Sequence, residues 1–448
     1  MKKIILSFLT VVLSFCCAGQ ASANLEFFIN VHQVKERQGE DKAISKEESD
    51  YVLSVVIGDG YFSYTSEGVN YIYDFIDKRV FTVDLAGKKF SDDSLFANIG
   101  FRTYEFQNRL MLGGALAAGG VEDNPMLPVL SEHLFSLQQK DKKSELSQTS
   151  NDNSLAFSAA GKALLSYNTQ GVEVSRKEKE MFIKFLRYVY GGHPQILKQL
   201  SSDNIIPESI QIHRYNIFTE HNILSLSGIK TTPTTTFTLD GYSPDVLAGD
   251  TDPFSEFLSE IQHSKTINLD KHLESLLSRA KSYFNSGNYI DTMLCYLEYT
   301  LASSRPLPTV YEKQRDLLNQ DGNVIKLLAT LGLRPNNKEE GEDFLHKLQE
   351  LEKKTKHQSH VLKIFQANAQ SDLGNFQKAK ELFYEALKVS PHITGAYKDL
   401  GGIYFNEYDA VLAWRCWDVA RKISPTNKML IQINEFESSL LKGYPEFF

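Results

Sequence analysis

The chain is poor in the residues that staple or catalyse. It has 4 cysteines and 2 tryptophans in 448 residues, too few cysteines for a disulfide-dense scaffold. A basic excess is also missing: 48 lysines and arginines face 56 aspartates and glutamates, for a formal charge of −8. No charge run supplies the basic patch that phosphate binding needs, so nucleic acid is excluded as the expected partner. Beyond the first 17 residues no apolar run reaches the roughly 18 residues of a spanning helix, and no stable membrane span is expected.

Catalytic patterns are equally scarce. No serine sits in Gly-x-Ser-x-Gly. His193 in Gly-Gly-His-Pro, His213 and His221 could be imagined as metal ligands, but none are paired at the i, i+4 spacing that puts two imidazoles on one helical face. A hydrogen-bonded or surface histidine is the reading for each. Gly58-Asp59-Gly60 is hairpin chemistry with no helix opening after it, hence no phosphate cradle. Asp372, Asp399, Glu407 and Asp409 fall on helices and turns where carboxylates ordinarily solvate. No cofactor, metal or enzymatic activity is expected, and a cell-envelope hydrolase ranks last among the functional readings.

What is present begins with an export signal. Lys2 and Lys3 precede the apolar run Ile4 to Cys17, and Ala21-Ser22-Ala23 offers the small-x-small pattern that a signal peptidase cuts after. A mature chain from Asn24 is expected, exported and most consistent with a periplasm, with secretion as the alternative. Phe15 stands before Cys16 where a lipoprotein signal wants a small residue, which argues against a lipid anchor.

Residues 24–242 read as an α+β domain with an antiparallel sheet. Tyr51 to Ile57, Tyr61 to Tyr64, Val69 to Phe75 and Arg79 to Leu85 are strand-like runs separated by Gly58-Asp59-Gly60, Ser66-Glu67-Gly68 and Asp77-Lys78. Such a sheet has an apolar face to cover. Helices are expected over Thr103 to Ala118, Met126 to Leu137, Ser154 to Leu165 and Lys177 to Leu200, the last interrupted at Gly191-Gly192-His193-Pro194. Gln138 to Asn153 lacks apolar spacing and is the candidate for disorder. Strands are expected again at Ser209 to Phe218, Ile223 to Ile229 and Thr234 to Leu239. Pro244, Gly249, Asp250 and Pro253 mark 243–253 as a linker.

Residues 254–448 carry no strand signal. Helices fit Phe254 to His263, Leu269 to Ser286, Tyr289 to Ser303, Thr309 to Gln320, Asn323 to Leu331, Glu339 to Lys354 and Met429 to Leu441. Between the last two the chain repeats itself: Ala367 matches Gly401, Ala379 matches Ala413, Phe383 matches Trp417, Ala386 matches Ala420, and Pro391 matches Pro425, all 34 residues apart. Small residues recur where helices must touch, and an aromatic recurs where the gap must be filled. A period of that length is the mark of a helical solenoid. An earlier copy, Ala280, Tyr283, Gly287-Asn288-Tyr289 and Tyr296, parallels Ala367, Gln370, Gly374-Asn375-Phe376 and Phe383. Its distance from the next copy, 87 positions between Gly287 and Gly374, is not a multiple of 34. Gln366 and Gln370 occupy positions of the stripe where bulky apolar residues are wanted. Cys295 and Cys416 fall at the same place on the second helix of different pairs, which reads as two small buried residues rather than a disulfide.

The A-x-x-x-F/W-x-x-A pattern, the Gly-Asn-Phe turn and the closing proline resemble the tetratricopeptide-repeat family. The resemblance implies an all-α solenoid whose first helices line a concave wall, and contact there with a protein or peptide partner through Ile364, Asn368, Ser371, Asp372, Lys398, Phe405 and Asn406. Asn368 and Lys398 match places that grip a peptide carboxylate in some members. More faintly, V-x-I-G-D-G-Y-F-S-Y followed by Y-I-Y-D-F-x-D-K-R-V-F-T-V-D and K-K-F, residues 50–90, is similar to periplasmic lipoprotein-carrier-type domains. That likeness implies a curved sheet holding a lipid, a lipoprotein or another apolar ligand. The leading expectation is a protein-docking scaffold or adaptor, with the carrier as its alternative.

Overall fold

The structure is a computed structural model, and it describes residues 23–38, 44–119, 126–139, 143–216, 218–233, 236–245 and 253–448. The stretch expected to be the export signal, through residue 22, and residues 246–252 of the expected linker lie outside the described residues. Two compact units emerge: one ends at Leu95, resumes over Arg102–Ser243 and takes in Tyr444–Phe448, and the other comprises Phe96–Phe101 and Pro244–Gly443.

The first unit is α+β. The chain forms β1 (Ala23–Gln38), β2 (Ile44–Ile57), β3 (Tyr61–Ser66), β4 (Val69–Asp74), β5 (Arg79–Asp84) and β6 (Lys89–Ser94). Helices α1 (Leu95–Ala118) and α2 (Met126–Phe135) follow, then β7 (Ser147–Asn151), β8 (Ser154–Ala159), β9 (Lys162–Asn168) and β10 (Gly171–Glu173). Helices α3 (Arg176–Val189) and α4 (Pro194–Leu200) precede β11 (Ile205–Pro207), β12 (Ser209–Tyr215), β13 (Thr219–Pro233) and β14 (Ser243–Pro244). Twelve strands make one sheet in the order β14-β6-β5-β4-β3-β2-β1-β13-β12-β9-β8-β7.

Strand β1 organises that sheet, pairing antiparallel with β2 from Leu25↔Ile57 to Gln38↔Ile44 and with β13 on its other side. Leu25, Phe27, Ile29 and Val31 are buried while Phe28 and Asn30 are exposed, the two-residue alternation of a half-buried strand. Where the register slips between Glu26 and Phe28, Gly228 takes φ +63°, a conformation other residues rarely adopt. Helix α3 covers the buried face. It starts at a capping box in which the Ser175 hydroxyl accepts from Glu178 N and the Glu178 carboxylate accepts from Ser175 N. Phe182 meets Phe27 at 6.1 Å, Phe185 meets Phe62 at 5.6 Å, and Tyr188 meets Tyr73 at 4.9 Å.

Several expectations are corrected here. Ser154 to Leu165, read as a helix, is the β8–β9 hairpin, turned by Ala160 (φ 43°) and Gly161 (φ 80°). Leu and Ala favour helix locally, but pairing of β9 with β12, Ile210 opposite Tyr167, overrides that preference. Within the expected disordered loop, Ser147–Asn151 is an edge strand on β8. All five of its residues are exposed, so no apolar alternation betrays it. Residues 236–239 are not a strand; Phe237 instead lays its ring against Tyr61 (5.3 Å) and Phe81 (5.6 Å). Ser243, placed in the linker, pairs its N–H with Lys88 O at 2.9 Å and opens β14 beside β6.

The residues Tyr444–Phe448 complete this unit. Phe447 is fully buried, edge-on to Tyr188 at 5.6 Å and under the guanidinium groups of Arg187 (5.0 Å) and Arg102 (5.8 Å). Tyr188 Oη donates to Phe447 O at 2.9 Å. Truncating a buried phenylalanine removes transfer energy and leaves a cavity, about 3–5 kcal/mol together. Phe447→Ala is therefore expected to lower the stability of the β-sheet unit by about that amount, read as faster hydrogen exchange in α3; exchange unchanged in α3 would refute the packing described.

The second unit is helical: α5 (Pro253–His263), α6 (Leu269–Asn285), α7 (Tyr289–Ser303), α8 (Thr309–Leu318), α9 (Gly322–Leu331), α10 (Lys338–Glu352), α11 (Ser359–Asp372), α12 (Phe376–Val389), α13 (Thr394–Asn406), α14 (Ala410–Ile423) and α15 (Ile431–Gly443). Gly287 and Gly374 leave α6 and α11 at φ 74° and 78°, the left-handed exit that glycine makes without penalty. Tyr408, 34 residues after Gly374, holds φ 67°, so the turn geometry persists where the glycine does not. Ala367, Ala379, Phe383, Ala386, Ala413 and Ala420 are fully buried, and Trp417 is nearly so. A Cβ on Gly401 would lie 2.9 Å from Ala413 O and closer still to the Trp417 ring. Any larger residue there must push α13 and α14 apart.

Gln366, expected to damage its stripe, is buried and donates from Nε2 to Glu352 Oε2 at 2.8 Å, which satisfies a polar group against the preceding helix. Cys295 and Cys416 are free and buried; burial pushes the Cys295 thiol up to about 12.

Candidate functional site

Three polar clusters stand out from the packing, and one of them lines a groove in the helical unit that opens to solvent. That groove, of about 320 Å³, is lined by Asn368 and Ser371 of α11, Lys398, Asp399, Gly402, Ile403 and Asn406 of α13, Trp417 of α14, and Gln432 and Ile433 of α15. Lys398 falls on the groove side because Leu400, Gly401 and Tyr404 take the opposite, buried stripe of α13. Trp417 Nε1 donates to Lys398 O at 3.1 Å, tying the α14 indole to the α13 backbone. Nothing lies within 4 Å of a Cβ built on Gly402, so the groove floor is open there.

Asp399 is the electrostatic centre. Its Oδ2 accepts from Asn368 Nδ2 at 3.0 Å and its Oδ1 from Lys398 Nζ at 3.0 Å. The two residues expected to grip a peptide carboxylate thus already hold a carboxylate of the chain itself. Asp372, one turn of α11 beyond Asn368, lines a separate cleft of about 300 Å³ with Pro335, Asn337, Gly341 and Phe344. Burial, and after it the Asp399 charge, push the Asp372 carboxyl up.

Of the expected contact residues, Asn368, Ser371, Lys398 and Asn406 share the groove. Ile364 does not: it is 1% exposed, because α11 packs against α7, α10, α12 and α13 and buries more than one stripe. Phe405 faces Trp414 (5.7 Å), Trp417 (5.9 Å) and Phe436 (6.0 Å), an aromatic packing role in place of the expected contact. Asp399 was legible only as a solvated carboxylate; its place one residue after Lys398 on the groove wall was the available signal. Gln432 and Ile433 come from α15, outside the repeat, and carried none.

The second cluster is buried in the helical unit. Glu298, fully buried, accepts at Oε1 from His272 Nε2 (3.1 Å) and Ser390 Oγ (2.6 Å) and at Oε2 from His360 Nε2 (3.0 Å). With its amide oriented to satisfy both neighbours, Gln358 also donates to Oε2 (3.1 Å) and accepts from Arg279 (3.3 Å). Burial pushes the Glu298 carboxyl up, but these donors outweigh it and hold the group well below the usual carboxylate range.

The third cluster surrounds His193, caught between helix and sheet. His193 Nε2 donates to Glu132 Oε2 at 2.9 Å, its Nδ1 accepts from Gln195 N at 3.3 Å, and its own N–H donates to His133 Nδ1 at 2.9 Å. Capping α4 fixes the ring. His213 and His221 stack at 4.1 Å across the β12–β13 ladder. Among the described residues no group of three or more His, Cys, Asp or Glu side chains is arranged to hold a metal.

No protein-family model matches the chain, and no curated protein does. A solved structure titled for lipid–protein interactions in lipovitellin aligns with 96% of this chain and 56% of its own at 10% identity and a TM-score of 0.19. The chain thus spans little more than half of that neighbour's length, and the likeness is too slight to carry fold or function.

Proposed function

We propose that the helical unit is a docking surface for an extended segment of a partner protein, in a chain that acts as an exported, periplasmic scaffold or adaptor. The reading rests on one observation: Asn368, Ser371, Lys398 and Asn406, from two successive helical pairs of tetratricopeptide-like pattern, line a single open groove. Side-chain amides both donate and accept, so Asn368 and Asn406 suit the alternating N–H and C=O groups of a peptide backbone. Asp399 beside Lys398 favours a segment that brings its own N–H or cationic donors over one that brings a lone carboxylate.

The test uses the whole chain. A displayed library of short peptides is selected against the protein, and binders are re-measured against Gly402→Trp, which fills the open floor, and Val411→Trp, which adds the same ring at an exposed position of α14 off the groove. Affinity is expected to fall about tenfold or more in the first and to hold in the second. Peptides that bind Gly402→Trp as well as the parent would end the proposal. A point substitution is the cleaner probe, because truncating the last helices would also remove Phe447 from the first unit. The alternative, a carrier of lipid or lipoprotein in the sheet unit, gains nothing from the packing described, where the rings of Phe27, Phe62, Phe182, Phe185 and Tyr188 fill the space beneath α3. Acyl chains co-purifying with the protein, seen by mass spectrometry, would restore it.

A further inference from the structure

A cavity of about 730 Å³ opens in the sheet unit beside α3 and α4. Among the described residues three cations line it, Lys143, Arg187 and Lys198, with Glu446 as the one acidic group; the rest of that wall is largely amide and hydroxyl, from Gln138, Gln195, Gln199, Ser201 and Ser202. The charge of this chain is negative overall, so a concave site with a net positive lining is a local reversal. Such a cleft focuses field and draws in anions.

Arg187 is what distinguishes this wall from an ordinary solvated surface. Its side chain is only 7% exposed, yet it makes a single hydrogen bond among the described residues, from Nη1 to Ser136 O at 3.2 Å, and its buried Nε has no partner. Glu446 Oε1 stands 3.9 Å from Nη1, beyond hydrogen-bond reach. A guanidinium has five donors in a planar fork and is costly to bury unless an acceptor meets them. Lys143 and Lys198 are exposed and carry no ion pair among the described residues. Burial, more than the nearby Glu446 charge can offset, lowers Arg187 to about 10, the direction expected of a cation short of counter-charge.

We propose that this cavity binds a small organic anion carrying a phosphate or carboxylate group. Arg187 would receive the anionic oxygens, Lys143 and Lys198 would flank them, and the Gln and Ser side chains would meet polar substituents. The volume suits a small-molecule ligand. Glu446, carried on the segment that also buries Phe447, is the built-in competitor for Arg187.

The experiment is calorimetric titration of the full chain at low ionic strength with inorganic phosphate, with citrate and with glucose as a neutral control. Saturable one-to-one binding of phosphate or citrate, but not glucose, is expected, and whichever of the two binds more tightly names the head group. Lys198→Glu, an exposed change that leaves the core untouched, should weaken it about tenfold, and Arg187→Met should abolish it. Glu446→Gln should tighten it several-fold. Absence of saturable binding by either anion, or affinity unmoved in Lys198→Glu, overturns the proposal. So does a site that takes up only an acidic peptide.

Discussion

Replacing Glu298 with leucine is expected to cost the helical unit on the order of 4 kcal/mol, because removing one partner from a buried charged network strands the others. His272, His360, Ser390 and Gln358 all aim donors at this carboxylate, and leucine accepts from none of them. They come from α6, from α11 and the residue that caps it, and from the loop before α13, so one side chain joins parts of the chain about 90 residues apart. Both tryptophans, Trp414 and Trp417, lie in α14. Urea unfolding followed by tryptophan fluorescence therefore reports this unit alone. Glu298→Gln keeps one acceptor oxygen and should lie between leucine and the parent. A midpoint shift worth less than about 1 kcal/mol for Glu298→Leu would mean that the network is dispensable. The carboxyl is held below its unfolded value, so its contribution is full above the unfolded 4.5 and is lost as pH falls from there through the folded value.

Helical architecture was legible because its signal is local. Tyr289–Ser303 and the 34-residue echo of Ala379 and Phe383 in Ala413 and Trp417 can be read within a few turns of chain, since the stripe that packs is the stripe that repeats. The sheet was half legible: β3, β4 and β5 announce themselves by tight turns, whereas β8 and β9 are decided by β12, some 45 residues later. β7 left no mark, having neither face buried. In the groove, four side chains were found because residues that do not pack inward on the first helices must face outward. Ile364 was misplaced by the same logic, since a helix with four neighbours buries more than the single stripe its spacing suggests. Glu298 gave no signal at all, and His193 showed only as a hydrogen-bonded or surface histidine, without its partners. Their partners lie tens of residues away, and a buried glutamate looks in sequence like any solvated one.

Acid should unfold the sheet unit before any of its carboxylates need be invoked, and His133 is the main reason. The ring is 1% exposed; its Nδ1 accepts from His193 N and its Nε2 donates to His213 O at 2.8 Å. The proton thus sits on Nε2, and a second one on Nδ1 would face an N–H. Burial first, and then the neighbouring His193, pull His133 down to about 3, and burial with His221 pulls His213 to about 4. Both folded values lie below the unfolded 6.5. Between those limits the unfolded chain takes up protons that the folded chain refuses, so stability is full above about pH 6.5 and declines as pH falls. For His133 alone the decline amounts to on the order of 4 kcal/mol by pH 3. His392, drawn to about 4 by burial and by His272 stacked 4.2 Å away, acts in the same direction in the helical unit. Hydrogen exchange of α2 and β12 measured at pH 7, 5.5 and 4.5 separates the contributions. His133→Gln retains a donor and an acceptor but cannot titrate, so it should be less stable than the parent at pH 7 and lose less on acidification. If parent and variant lose stability in parallel from pH 7 to 4.5, His133 is not the group that senses acid.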